Sequence, residues 1–208
     1  MIDAITYEDM LECIDNQNQP EDIVGILITR PDLNTGNEIV KSLNYYHHLT
    51  SHNINFYLPG YGAYWNPEKY PDMNAVTTID GIKWYFSNKA FVEFVETLEC
   101  ESSWQYTGES ELLLIPYHNK TLDFSEVGLF HLDKMLTDNT ISSISSFITR
   151  LNRLLKNNRS TLLVSLQEGT KCLVETFIKE IINQLPTYIS KPLKSGRHYL
   201  CQDFSKYI

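Results

Sequence analysis

The stretches IVGILITRPDLNTGNEIVKSLNYYHH, residues 23–48, and INFYLPGYGAY, residues 54–64, decide the fold class of this chain. The first opens with a continuous apolar run, Ile23–Ile28, which is typical of a strand buried on both faces of a sheet. Thr35 followed three residues later by Glu38 forms a capping-box pattern, which predicts that a helix begins here. This helix is expected to end at the two histidines that close the stretch.

The second stretch predicts a strand that follows the helix closely. Ile54, Phe56 and Leu58 alternate with polar or amphipathic residues, and the Pro-Gly-Tyr-Gly sequence of residues 59–62 stops the alternation. A strand, a helix and a strand joined this tightly favour a parallel pair with a right-handed crossover. The two stretches together predict a β-α-β unit.

The remaining chain adds elements that are compatible with an open mixed sheet. The patterns predict a strand at 82–86, a helix begun by Asn88, a hairpin from 112–115 and 127–132, a helix after Asp138 or Thr140, and a last helix from Val174 to Leu185. The leucine run of the hairpin is expected to end at Pro116. The order of elements is similar to the thioredoxin-like arrangement, although no Cys-x-x-Cys follows the first strand, so that family's redox chemistry is not implied.

The sequence therefore predicts an α/β fold, an open mixed sheet with a β-α-β start and a helical C-terminal segment. We assign residues 1–22 to an N-terminal helix and linker, 23–157 to the α/β domain and 158–208 to a C-terminal helical extension.

Charge and cysteine usage exclude several classes of function. The chain has 26 Asp and Glu against 17 Lys and Arg, a net charge of −9, which disfavours nucleic acid and anionic membranes as partners. Cys13, Cys100, Cys172 and Cys201 lie too far apart for a zinc module or a redox pair. No leader-like or membrane-spanning stretch stands out, so we expect a cytoplasmic protein.

One pair of carboxylates could carry chemistry. Glu109 and Glu111 flank Ser110 just before the leucine run, which places both on one face at the start of a strand. This pair resembles the Glu-x-Glu element of arginine-type ADP-ribosyltransferases. The resemblance implies an arginine on an earlier strand, for which Arg30 is the candidate. The alternative is that both carboxylates are exposed to solvent at the start of a strand and carry no chemistry.

The same resemblance implies a Ser-Thr-Ser element, and here the chain departs from the family. Ser87 is the single candidate, and Asn88 and Lys89 interrupt the element. The helical last third of the chain is also unexpected for such an enzyme.

Metal and cofactor sites are not indicated. His47, His48 and His52 are close in sequence, but their spacing does not place two imidazoles on one helix face with an acidic partner. Gly60 and Gly62 lead into a loop and not into the start of a helix, so there is no phosphate-binding loop. We predict no metal and no cofactor.

Residues 61–80 form the other candidate region, which we name the aromatic loop. The candidate partner-binding residues are Tyr61, Tyr64, Trp65 and Tyr70, because amphipathic rings are enriched at recognition surfaces. The alternative is that these rings shield one face of the sheet.

Two functions follow from these candidates. The leading hypothesis is a non-catalytic or regulatory module of a cytoplasmic complex that recognises another protein chain or a second copy of itself. The alternative is a small enzyme that acts on a nucleotide or NAD-like ligand, of the ADP-ribosyltransferase or glycohydrolase type, with Glu109, Glu111 and Arg30 in its site.

Overall fold

The computed structural model describes residues 2–4, 6–16, 23–50, 56–167, 183 and 198–206. The elements in chain order are β1 (Ile2–Ala4), α1 (Tyr7–Asp15), β2 (Ile23–Ile28), α2 (Asn34–Thr50), β3 (Phe56–Pro59), β4 (Tyr61–Gly62), β5 (Asn74–Ile79), β6 (Ile82–Phe86), α3 (Asn88–Glu101), β7 (Glu111–His118), β8 (Thr121–Leu122), β9 (Val127–His131), α4 (Leu132–Thr137), α5 (Ile144–Gln167) and β10 (Tyr199–Gln202). The predicted α/β class is confirmed.

The larger sheet is mixed and is built outward from β2. Its order is β1-β3-β2-β7-β9-β10, and the short β8 pairs with β7. β2 runs parallel to β3, as the β-α-β pattern predicts, and antiparallel to β7. β2 is central in a sheet whose two faces are both covered, so all six of its residues are buried, and this explains the unbroken apolar run.

The carboxyl end of β2 lies beside the carboxyl end of β3 and the amino end of β7, because β2 is parallel to β3 and antiparallel to β7. From this end of β2 the chain passes through α2 to β3. In open α/β sheets, ligands commonly bind outside the carboxyl ends of the parallel strands. The fold therefore points to this end of β2.

Both faces of the larger sheet are covered, and two adjacent residues where β7 begins show this. The Ser110 side chain meets Thr35 at the start of α2, whereas the Glu111 side chain meets Trp104, which follows α3. Successive side chains leave an extended chain on opposite faces, so α2 and the end of α3 lie on opposite sides of the sheet.

The prediction that residues 61–80 form a loop throughout is wrong for its two ends. The β4-β6-β5 sheet takes in Tyr61, Gly62 and residues 74–79. β5 and β6 are joined by the two-residue turn Asp80-Gly81, both at positive φ, as a type I′ hairpin requires. Much of β5 is exposed, so apolar and polar residues alternate only weakly along it. Its sequence therefore lacks the pattern that predicts a strand.

Two boundaries also differ from the predictions. β7 continues through Pro116 to His118, because β9 pairs with β7 only as far as Leu114 and a proline is tolerated where one neighbour is missing. Ser87 and not Asn88 caps α3, since its hydroxyl accepts a hydrogen bond from the N–H of Ala90.

The chain termini contribute strands that the sequence pattern does not predict. β1 and β10 occupy the two edges of the larger sheet, and β10 lies in the segment expected to be helical. The predicted last helix falls outside the described residues except for Asn183. Both edge strands are short, with three and four residues, so period-two alternation cannot reveal them.

Candidate functional site

Arg30 and Tyr61 follow the carboxyl ends of two parallel neighbours. β2 pairs with β3, where Ile26 lies beside Tyr57. Arg30 is the second residue after β2, and Tyr61 is the second residue after β3. The Arg30 guanidinium is close enough to act on the pKa of Tyr61, which it lowers against the larger effect of burial.

The antiparallel partner of β2 brings the two glutamates to the same end. Ile28 is paired with Glu111, so Glu109 lies level with Arg30 two residues further along. Glu111 is also paired with His131 across β7 and β9. We name the group of Arg30, Tyr61, Tyr106, Glu109, Glu111 and His131 the strand-end site.

Glu111 is fully buried and is held by three side chains. Trp104 Nε1 donates to Oε2 at 3.2 Å, and the Thr107 hydroxyl donates to Oε1 at 2.7 Å. His131 Nδ1 lies 3.2 Å from Oε1, an ion-pair distance at which the ring is not aligned for a hydrogen bond. The buried carboxylate therefore has an imidazole ring beside it whose Nδ1 makes no hydrogen bond among the described residues.

Four further polar atoms of the strand-end site are buried without a hydrogen-bond partner among the described residues. They are Arg30 Nε, Tyr61 OH, Tyr106 OH and Glu109 Oε2. Buried polar groups in folded proteins almost always have partners, and each one left unpaired costs about 1–3 kcal/mol. Such a group of unpaired donors and acceptors marks a place where a ligand can supply them.

The pKa values of Tyr61 and Tyr106 depend on burial and on the charged residues nearby. Burial raises the pKa of Tyr106 to about 12, with Arg30 lowering it and Glu111 raising it to lesser extents. Burial also raises the pKa of Tyr61 far above its usual range, and the Asp32 carboxylate adds to the shift. Both hydroxyls therefore stay protonated at neutral pH, where they can donate hydrogen bonds.

Arg30 lies at the solvent side of the site. Its Nη2 pairs with Asp32 at 3.0 Å, and the side chains are 40% and 62% exposed. An exposed ion pair of this kind stabilises little, so an incoming anion can replace Asp32 with small loss. Arg30 is thus the partly exposed cation of the strand-end site, whereas Glu111 is fully buried.

Gly36 is required for the loop that holds Arg30. A Cβ at position 36 would lie 1.7 Å from the carbonyl oxygen of Arg30, which no side chain can tolerate. The absence of a side chain lets the first turn of α2 lie against the end of β2. The Asn34–Thr50 helix therefore starts directly beside the strand-end site.

Most of the candidate side chains of the aromatic loop pack within their own domain and are not exposed. Tyr61 and Tyr70 are buried, and Trp65 donates its Nε1–H to the Gly62 carbonyl at 2.6 Å and packs edge-on against Tyr70. Tyr64 is 76% exposed. Of the four candidate partner-binding residues, Tyr64 is thus the one that presents its ring to solvent, and the partner-binding role stays a prediction.

The structure places together the three residues that the sequence proposes for catalysis, at one end of the sheet, and their catalytic role stays a prediction. Sequence reasoning missed Tyr106, His131, Trp104 and Thr107 as members or supports of the site. Trp104, Tyr106 and Thr107 carry a local signal, because they are polar-capable residues in the short loop just before the Glu-x-Glu pair. His131 is brought in by strand register.

Neither a cluster of metal-binding side chains nor a membrane-spanning helix occurs among the described residues. Within those ranges, no group of three or more His, Cys, Asp or Glu side chains is arranged to hold a metal ion. None of the helices described combines the length and apolar character needed to cross a bilayer.

No protein-family model, curated protein or solved structure matches this chain. Functional inference therefore rests on the chemistry of the strand-end site.

Proposed function

We propose that this protein is a small enzyme that cleaves or transfers the sugar part of a nucleotide or NAD-like ligand, with Glu111 as its reactive carboxylate. The observation that carries the proposal is the set of unpaired buried polar atoms grouped around the fully buried Glu111 at the carboxyl end of β2. Perturbed and unpaired groups concentrated at the carboxyl end of a parallel strand are typical of functional sites.

The unpaired atoms match the functional groups of a ribose. Tyr61 OH and Tyr106 OH can donate to or accept from sugar hydroxyls, Glu109 Oε2 accepts, and Arg30 Nε donates. A sugar offers donors and acceptors close together on one small ring. A ligand with a single kind of polar group would leave part of this set unpaired.

The acidic character of the site suits cleavage of an N-glycosidic bond. As the bond between the sugar carbon and the base nitrogen breaks, the base leaves with the electron pair and the sugar carbon becomes positive. The Glu111 carboxylate stabilises that charge in a site where burial strengthens the interaction. Water then adds to the carbon and gives up its proton, for which His131 is a suitable acceptor.

Arg30 suits the phosphate end of the same ligand. A guanidinium binds phosphate with two parallel N–H donors, and Arg30 sits at the opening beside the start of α2. The positive end of the helix dipole also favours an anion there. Nucleotides are therefore expected to bind more tightly than the corresponding nucleosides.

The test is hydrolysis of NAD⁺, AMP and adenosine, measured as free base released from the purified protein. Wild-type protein is expected to release base from at least one of the nucleotides, and Glu111→Gln is expected to lower kcat by roughly a hundredfold or more while melting normally. Glu96→Gln, on the exposed face of α3, is the matched control. No release by the wild type from any of the three compounds would refute the proposal.

We also propose recognition of another protein chain or a second copy through the aromatic loop, in a cytoplasmic setting, as a second candidate function. The exposed Tyr64 ring supports it, since a large aromatic ring open to water is a common contact residue. Cys13, Cys100 and Cys201 are not joined in disulfides among the described residues, which supports a reducing compartment. Concentration-dependent sedimentation of wild type and Tyr64→Ala would test self-association.

A further inference from the structure

A chain of buried hydroxyl groups crosses the sheet next to the strand-end site. Thr29 Oγ1 lies 2.7 Å from Ser110 Oγ, which lies 2.6 Å from Thr35 Oγ1. Thr35 Oγ1 in turn donates to Asp133 Oδ1 at 2.9 Å. The three hydroxyl residues come from the end of β2, the start of β7 and the first turn of α2, and all three are buried.

The carboxylate fixes the direction of every bond in this chain. Asp133 can only accept, so the single proton of Thr35 is committed to it. Thr35 must then accept the proton of Ser110, and Ser110 must accept the proton of Thr29. Reversing any one of these hydrogen bonds would leave two oxygens in contact with no proton between them. The chain is therefore rigid in both geometry and polarity.

Asp133 also holds the backbone of Ser110. Its Oδ2 accepts the Ser110 N–H at 2.5 Å, while Oδ1 reaches the Ser110 hydroxyl through Thr35. One carboxylate thus restrains both the main chain and the side chain of Ser110. The next residue is Glu111, and the residue after Thr29 is Arg30.

We propose that Asp133, acting through Thr35 and Ser110, is a positioning residue that keeps Glu111 and Arg30 in a fixed relation to each other. The inference rests on the proposed function of Glu111. Its physical reason is that a catalytic carboxylate misplaced by about 1 Å can lose roughly a hundredfold in rate. The network touches neither side chain directly, so its effect passes through the backbone.

The experiment compares variants of the hydroxyl chain with a matched control. Thr35→Val and Ser110→Ala remove one hydroxyl each, and Thr35→Ser retains it. Thr140→Val is the control, because Thr140 is equally buried but its hydroxyl has no partner among the described residues. Two readouts are used: kcat and KM for base release, and the indole N–H resonance of Trp104, assigned by its loss in Trp104→Phe.

The indole resonance reports the position of Glu111, because Trp104 Nε1 donates to its carboxylate. Thr35→Val and Ser110→Ala are expected to shift this resonance and to lower kcat about ten- to a hundredfold with little change in KM. Thr35→Ser and Thr140→Val should leave both readouts near wild type. A merely structural role would lower the melting temperature without moving the resonance.

The result that overturns the proposal is an unchanged Trp104 resonance and unchanged kcat in both Thr35→Val and Ser110→Ala. If wild-type protein releases no base, the proposed enzymatic function fails, and the resonance alone decides whether Asp133 positions Glu111. The two failures are therefore distinguishable.

Discussion

Two polar clusters of this protein differ in whether their groups are paired. In the cluster between α2 and α5, Glu38 Oε1 accepts the N–H groups of Ile144 and Ser145 at 2.9 and 3.4 Å. The Ser145 hydroxyl lies 2.7 Å from Tyr46 OH and 2.9 Å from the Ser42 hydroxyl. We name this group the helix-interface cluster.

The strand-end site is also built from polar and charged residues, but it leaves five buried polar atoms without a hydrogen-bond partner among the described residues. Groups in the helix-interface cluster pair with each other and fasten two helices together. Groups in the strand-end site cost stability in the absence of a ligand, which is common where a site is prepared for function. Pairing, and not polarity or burial, separates a structural cluster from a candidate site in this protein.

The largest expected effect comes from a loss of packing in β2, the central strand of the scaffold that both clusters share. Ile26 is fully buried in β2, between Tyr57 of β3 and Leu113 of β7. Ile26→Ala should lower the free energy of unfolding by about 2–5 kcal/mol, because a cavity remains in a close-packed core. Urea denaturation measures this loss. Val92→Ala, at an exposed position of α3, should change it by less than about 0.5 kcal/mol.

A smaller loss is expected from the helix-interface cluster. Glu38→Ala removes the acceptor for two N–H groups at the start of α5, and it should cost about 1–2 kcal/mol. Thermal melting of Glu38→Ala beside the exposed control Glu96→Ala checks it. Equal melting temperatures in the two variants would show that the cluster does not stabilise the fold.

Tyrosine-to-phenylalanine changes compare the two clusters directly. Tyr46→Phe breaks a bond to Ser145 and should cost about 1 kcal/mol. Tyr61→Phe and Tyr106→Phe remove hydroxyls without partners, so stability should stay the same or rise while affinity for the nucleotide falls. Calorimetric titration and melting of the three variants separate these outcomes. A loss of stability in Tyr61→Phe as large as in Tyr46→Phe would contradict the contrast.

The smallest effect is the dependence of stability on alkaline pH. Burial raises the pKa of Tyr106 to about 12, above the value near 10 of an unfolded chain. Its contribution is therefore fully present below about pH 10 and is lost as the pH rises through about 12. Unfolding free energies measured from pH 9 to 11.5 should fall less steeply in Tyr106→Phe than in wild type. Parallel curves would contradict the assigned burial.

Local sequence was sufficient for the elements whose pattern is complete within a few residues. The Ile23–Ile28 strand, the presence of a helix after it and the parallel pairing of β2 with β3 could be predicted, because apolar periodicity is a short-range property. The Glu-x-Glu pair was visible for the same reason. β5 and the edge strands β1 and β10 were not, since exposed or very short strands lack alternation.

The predicted capping box of Thr35 and Glu38 is wrong, because both residues lie inside α2. The Thr35 hydroxyl donates to Asp133, and Glu38 accepts from the first N–H groups of α5.

By itself the sequence determined a β-α-β core and a set of candidate residues, Arg30, Glu109 and Glu111. Only the tertiary structure decided that these residues share one end of the sheet, that Tyr61 joins them and that His131 stands opposite Glu111. Neighbours across a sheet are set by strand order and register, and these depend on the packing of the whole chain. No local pattern in residues 127–131 distinguishes a histidine beside a buried carboxylate from one at a surface turn.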